Sequence, residues 1–154
     1  MKTKFIAILV LLCGIWWATP AEAYDPVQVQ QLLRTKQCGG CDLTNANLAG
    51  VNLSRAHLIG ASLMGANLSK ANLTGTNLEG ADLTGAKLDH ANLTNAYLTN
   101  AILDDSNLAG ANFTNAALFH ANLHRANVNS TVFKNAKVTG ADFTGANYNL
   151  AIAD

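Results

Sequence analysis

Cys41-Asp42-Leu43-Thr44-Asn45, Ala46-Asn47-Leu48-Ala49-Gly50 and Val51-Asn52-Leu53-Ser54-Arg55 are three successive blocks of five residues with one shared pattern. The pattern runs on without insertion or deletion to Leu150, through about twenty-two blocks. The third residue is Leu, Phe, Val or Tyr throughout. The first is small, usually Ala and otherwise Cys, Val, Thr or Ser. The second is mostly Asn or Asp, and the fifth is rich in Gly and Asn.

Each position has a physical reading. A large and a small apolar residue two apart point to one side of an extended segment, so the second and fourth residues face solvent. A period of five fits neither the 3.6 of a helix nor the alternation of a plain strand. Each block must therefore combine a short extended piece with a turn. Gly and Asn at the fifth position tolerate the backbone angles that a turn demands. One block cannot bury its Leu alone, whereas stacked coils about 4.8 Å apart can.

Composition supports a repeat with a core rather than disorder. The chain has 154 residues, of which 49% are apolar and 13% charged, with a formal net charge of zero. Disorder goes with few apolar residues and high net charge.

These A(N/D)LxX blocks resemble the pentapeptide-repeat family, over about 110 of the 154 residues. The resemblance implies an all-β solenoid: a right-handed quadrilateral β-helix with four blocks per coil, in which residues twenty apart stack. Twenty-two blocks then make about five and a half coils, a rod of roughly 26 Å. The left-handed hexapeptide β-helix needs a period of six, and the sequence never slips to six. The stretch Leu32 to Leu43, with Cys38-Gly39-Gly40-Cys41 inside it, is also similar to the leading segment of exported cyanobacterial and chloroplast lumenal members. That likeness favours a thylakoid lumen or a periplasm.

The N-terminus reads as an export signal. Lys2 and Lys4 precede an apolar run from Phe5 to Trp17, and Ala21-Glu22-Ala23 supplies a small-residue cleavage site. The run is short for a membrane span, and uncleaved anchoring is the alternative. Bulky Leu12 before Cys13 argues against a lipoprotein acceptor. The expected organisation is a signal peptide over 1–23, a helical cap over 24–40, repeats over 41–150 and a tail over 151–154. Cleavage removes Lys2, Lys4 and Glu22, leaving eight basic and nine acidic residues. That balance gives no long-range attraction for nucleic acid or an anionic membrane surface.

A solenoid must cap its ends. Asp25-Pro26 reads as an N-cap followed by Pro at the first helical position. The pattern predicts a helix over about 26–36, lying on the first coil, with Val29, Leu32 and Leu33 on one face. Arg34 and Lys36 are expected in its last turn, where cations suit the helix dipole. At the other end large residues take over the third position: Phe113, Phe133, Phe143 and Tyr148. Phe113 and Phe133, twenty apart, should stack. Phe143, Tyr148, Leu150 and Ile152 either close the last coil or form a homodimer interface, as C-terminal coils do in some relatives.

Candidate chemistry is sparse. After cleavage only Cys38 and Cys41 remain, in a compartment that permits disulfides. In register both face the core, which favours a structural disulfide or paired buried thiols. A redox switch is the alternative. A metal site would need two further ligands, and no His lies nearby in sequence. The four histidines, His57, His90, His120 and His124, do not stack on one another in twenty-residue coils. His124 is expected above Asp104, and Arg125 above Asp105, as two cross-coil salt bridges or a small ligand patch. The columns Asn47, Asn67, Asn107, Asn127, Asn147 and Asn52, Asn72, Asn92, Asn112 should satisfy their amides by stacking. Ile59, Met64, Tyr97, Ile102 and Phe119 are the expected exposed apolar residues, too scattered for a broad patch. Ser54, Ser62 and Ser69 have no His and carboxylate in register, and no phosphate loop is present.

The sequence therefore reads as an exported, non-enzymatic scaffold or protein-binding module without cofactor or metal. A redox-responsive protein using Cys38 and Cys41 is the alternative. Mimicry of DNA towards a topoisomerase, as in quinolone-resistance relatives, is remote, because it needs an acidic surface and a cytoplasmic address.

Overall fold

A computed structural model of the chain describes residues 24–147. Residues 1–23, read from the sequence as a signal peptide, and the C-terminal Tyr148, Leu150 and Ile152 lie outside the described residues.

Every unit solves the same backbone problem. The first residue donates its N–H to the third-residue carbonyl of the unit before, closing a turn, as Ala46 does to Leu43 at 3.0 Å. The second residue turns both of its backbone groups to the coil before it. Ser62 donates to Cys41 O at 2.9 Å and accepts from Leu43 N–H at 2.8 Å. The fifth residue adds another inter-coil bond, as from Asn45 N–H to Met64 O at 2.7 Å. All bridges are parallel and join residues twenty apart, from Gln37↔His57 to Asn127↔Asn147. Twenty residues are four units, so each coil has four faces. Gln37, His57, Asn77, Tyr97, Ala117 and Lys137 run up the first face. Asp42, Ser62, Asp82, Ile102, Asn122 and Asp142 run up the second. Asn47 begins the third, and Asn52 the fourth.

The expectation of an all-β fold needs one refinement. Among the described residues the pairing consists of isolated bridges, not strands of several residues. The cause is the turn: after one paired residue and its inward neighbour the chain bends, so no ladder reaches two consecutive bridges on one face.

The core is a stack of leucine layers. Third-position Leu43 through Leu123 and Phe113 are 0% exposed, and the first-position alanines of those coils are 0–1% exposed. Thr76, Ser106 and Thr131 replace Ala in this small-residue layer and are equally buried. Their hydroxyls donate to the carbonyls of Leu53, Leu103 and Leu108 at 2.7, 2.7 and 2.8 Å. None of these three hydroxyls is therefore buried unpaired, which would cost about 1–3 kcal/mol. In the last described coil the burial thins. Phe133 and Phe143 are half-buried, and Val138 is 40% exposed. Phe113 and Phe133 stack with ring centroids 5.2 Å apart, and Phe143 meets Phe133 edge-on at 5.7 Å.

Among the described residues one helix, α1 (Pro26–Thr35), precedes the coils. Asp25 accepts from Val27 N–H, and Pro26 opens the first turn. The helix stops one residue before the expected end. Lys36 adopts φ 60° and donates its N–H to Leu32 O, a left-handed C-cap. Leu32 is the one buried residue of α1, and Val29 packs partly against the core. Leu33, expected on the same face, is 42% exposed.

Candidate functional site

The outward side chains follow a rule that the columns of Asn concealed. Where the second residue is Asn or Asp, its Oδ1 accepts the N–H of the fourth residue in the same unit. Examples are Thr74 N–H to Asn72 and Thr114 N–H to Asn112, at 3.1 and 2.9 Å. Thr74, Thr94 and Thr114 also donate their hydroxyls to the same oxygen. The expected amide stacking occurs in only two of the steps seen: Asn67 to Asn47 at 3.2 Å and Asn127 to Asn107 at 2.9 Å. A carboxamide two residues from a turn N–H is an Asx turn, a signal present in the sequence spacing itself. Two of the carboxylates in this role, Asp42 and Asp142, are held below the usual range by hydrogen bonds from Thr44 and Thr144. Asn and Asp at this position thus build the fold, and a unit lacking them has an outward side chain free for something else.

Two adjacent units in one coil break the rule with large apolar residues. Tyr97 on the first face is 56% exposed, and Ile102 on the second is 39% exposed. Asp104 and Asp105 follow Ile102 in the same unit, with His124 and Arg125 one coil further on. Arg125 grips Asp105 with two of its guanidinium nitrogens, Nε to Oδ1 at 2.7 Å and Nη2 to Oδ2 at 2.5 Å. Their side chains are 57% and 47% exposed. Arg125 lowers the carboxyl pKa of Asp105, chiefly through that hydrogen bond, and Asp105 raises that of the guanidinium. The second expected rung does not form. His124 makes no salt bridge to Asp104, whose Oδ1 is buried without a hydrogen-bond partner. The backbone N–H of His124 donates to Asn122 Oδ1 at 3.0 Å, as the fourth residue of other units does. Phe119 is half-buried rather than exposed. Ile59 and Met64 are exposed as read, at 47% and 43%, and Val132, which the reading passed over, is 45% exposed.

The other candidate is the cysteine corner. Cys38 and Cys41 face the core, 1% and 7% exposed, and are joined as a disulfide with Cα atoms 5.2 Å apart. Above them α1 and its N-cap take the place of a missing coil, mostly using side chains where a coil would use backbone. On the second face Asp42 N–H donates to Gln28 Oε1 at 2.7 Å, and Asp42 O accepts from Asp25 N–H at 3.4 Å. On the first face Gln37 N–H donates to Thr35 Oγ1 at 3.1 Å, and Gln37 O accepts from Gln31 Nε2 at 2.9 Å. On the fourth, Lys36 Nζ donates to Asn52 O. These polar side chains gave no periodic signal, so sequence reasoning placed the helix but missed the substitution.

Among the described residues no group of three or more His, Cys, Asp or Glu is placed to hold a metal ion. No described helix is long and apolar enough to cross a membrane.

A twenty-residue coil with a leucine core and single-residue parallel bridges defines a β-helical solenoid. The chain belongs to the pentapeptide-repeat family, whose model matches residues 41–80, 76–115 and 111–147. Among solved structures it is similar to the pentapeptide repeat protein Rfr23 from the cyanobacterium Cyanothece 51142. The identity is 26%, the match covers 80% of this chain and 95% of that one, and the TM-score is 0.56. It is also similar to a pentapeptide repeat protein of the Arabidopsis thaliana thylakoid lumen, at 31% identity and TM-score 0.55, over 77% of this chain and 72% of that one. No curated protein matches the chain.

Proposed function

We propose that the chain is an exported, non-enzymatic scaffold that binds a protein partner through the surface around Tyr97, Ile102 and the Asp105–Arg125 pair. The observation that carries this reading is the break in the Asx rule. On these two faces Asp42, Asn77, Asp82, Asn122 and Asp142 are used up in holding their own turns, while Gln37, His57, Ser62, Ala117 and Lys137 are polar or small residues outside the rule. At Tyr97 and Ile102 two neighbouring units give up that bond and present apolar side chains to solvent beside a bidentate Arg–carboxylate pair. Exposed Tyr and Arg are the residue types that dominate binding energy at protein interfaces, and a rigid solenoid holds them at little entropic cost.

Export to a thylakoid lumen or periplasm is supported by the leader at 1–23 and by the likeness to a thylakoid-lumen protein. A homodimer through the C-terminal coils is supported by the thinning burial around Val138 and Phe143, and light scattering at high concentration tests it. Mimicry of DNA finds no support in a chain of zero formal net charge. A redox-responsive role for Cys38 and Cys41 is the second reading, favoured by their pairing directly beneath α1.

The test is comparative capture from the exported compartment, with a C-terminal tag. The intact chain and a Tyr97→Ser/Ile102→Ser variant of equal thermal stability are the two baits. A partner held by the first and lost by the second is the expected result. Identical captures would refute the surface.

A further inference from the structure

The Cys38–Cys41 corner does not need a cross-link to keep its shape. Cys41 N–H reaches Cys38 O at 3.3 Å, Cys38 N–H reaches His57 O at 2.9 Å, and Ser62 N–H reaches Cys41 O at 2.9 Å. Other units make the same corner from a Leu and a small residue with hydrogen bonds alone. The difference lies in what covers the corner along the solenoid axis. On one side the next coil supplies Leu58 and Ala61, both buried. On the other side there is α1. The Gln28 carbonyl oxygen stands 3.4 Å from Cys38 Sγ, and Leu32 joins the cysteines in the core.

We propose that α1 is a lid that gates thiol–disulfide exchange at Cys38–Cys41; the proposal rests on the pair being a disulfide. Exchange requires a thiolate to reach one of the sulfurs. With the sulfurs sealed between α1 and the second coil, a dithiol reductant acts only after α1 lifts. Its thiolate then forms a mixed disulfide with one cysteine while the other leaves as a thiolate and takes up a proton. The second thiol of the reductant displaces the first cysteine, which is protonated in turn. The protein gains two electrons and two protons, and the reductant ends as a disulfide.

The lid is fastened to the coils by contacts that can break locally. These are Leu32, the Gln28 side chain on Asp42 N–H, the Gln31 and Thr35 side chains on Gln37, and Lys36 on Asn52 O. Each lies at the end of the solenoid, where opening disturbs no inter-coil ladder below the first coil. Local opening of such a terminal element is far cheaper than unfolding the coils. Whatever seizes α1 in the cell would therefore also expose the disulfide.

The experiment follows reduction of the full oxidised chain by dithiothreitol under native conditions, with alkylation and mass measurement at timed points. The Cys38 and Cys41 thiols should become alkylated only after reductant is added. Leu32→Ala should speed their appearance about tenfold or more, as loss of a buried Leu implies, and Gln28→Ala several-fold. Leu108→Ala, deep in the third face, should leave the rate unchanged. Equal rates in the intact chain, Gln28→Ala and Leu32→Ala would overturn the lid. Equal acceleration by Leu108→Ala would also overturn it, because exchange would then run through unfolding of the coils. Complete alkylation of Cys38 and Cys41 before any reductant is added would instead sink the disulfide reading beneath it. Should Leu32→Ala fail to fold, the half-buried Gln28→Ala decides alone.

Discussion

The fifth residue of each unit carries most of the local strain. It takes a positive φ even where it is Arg55, Lys70, His90, His120 or Arg125. For such residues the left-handed region costs about 1–2 kcal/mol. Lys70→Gly is therefore expected to raise the thermal midpoint, by the equivalent of about 1 kcal/mol, less the chain entropy that Gly adds. Glycines at this position do a second job. A Cβ built on Gly110 would lie 2.6 Å from His90 Nδ1, so that glycine makes room for the ring one coil earlier. Gly110→Ala should destabilise by about 1–3 kcal/mol. His90→Ala in the same chain should recover the steric part, and a double-mutant cycle in thermal melts reads it directly.

The Asp105–Arg125 pair gives a pH signature at the same scale. Arg125 lowers the carboxyl pKa of Asp105 in the folded chain. The stability it contributes is therefore present above the unfolded carboxyl value and is lost as pH falls through the lower folded value. Both groups are exposed, so the contribution is small and screened by salt. Asp105→Asn should lower the melting temperature slightly at neutral pH and low salt. It should have no effect once the pH is below the folded pKa.

The unit and the cap are the next scale. Within a unit the second residue decides whether the turn N–H is satisfied. Asn92 accepts both Thr94 N–H and Thr94 Oγ1, at 3.1 and 2.6 Å. Asn92→Ala should cost about 0.5–1.5 kcal/mol, and Asn92→Asp much less, as seen by the shift in denaturation midpoint. The inward and outward alternation of the units was legible in the sequence because a Leu and an Ala two apart have no other way to face one core. The stacking of Phe113 on Phe133 followed from the twenty-residue coil. The role of Asn was missed because its twenty-residue columns suggested vertical stacking, whereas the signal lay in each Asn standing two residues before a turn N–H. The upper half of the charged patch failed for a related reason. Register placed His124 over Asp104, but a coil spacing does not fix a side-chain direction. Leu33 misled similarly: it lies one residue from buried Leu32, about 100° around the helix.

At the scale of the molecule, each coil touches only its neighbours, and stability is a sum of repeat and interface terms. The regular coils leave little room for a catalytic constellation, so what distinguishes this chain lies at departures from the repeat. These are the α1–disulfide end, the Tyr97–Arg125 surface and the aromatic coils from Phe113 to Phe143. All three readings depend on residues twenty apart being neighbours. Pairwise cysteine cross-linking tests that most directly. Asn72→Cys/Asn92→Cys places the pair on one face in adjacent coils, about 4.8 Å apart, within disulfide range. Asn72→Cys/Tyr97→Cys places the two on different faces. Under mild oxidation, with peptide mapping by mass spectrometry, the first pair should cross-link within the chain and the second should not. Cross-linking of the second pair in preference to the first would contradict the twenty-residue coil and every site built on it.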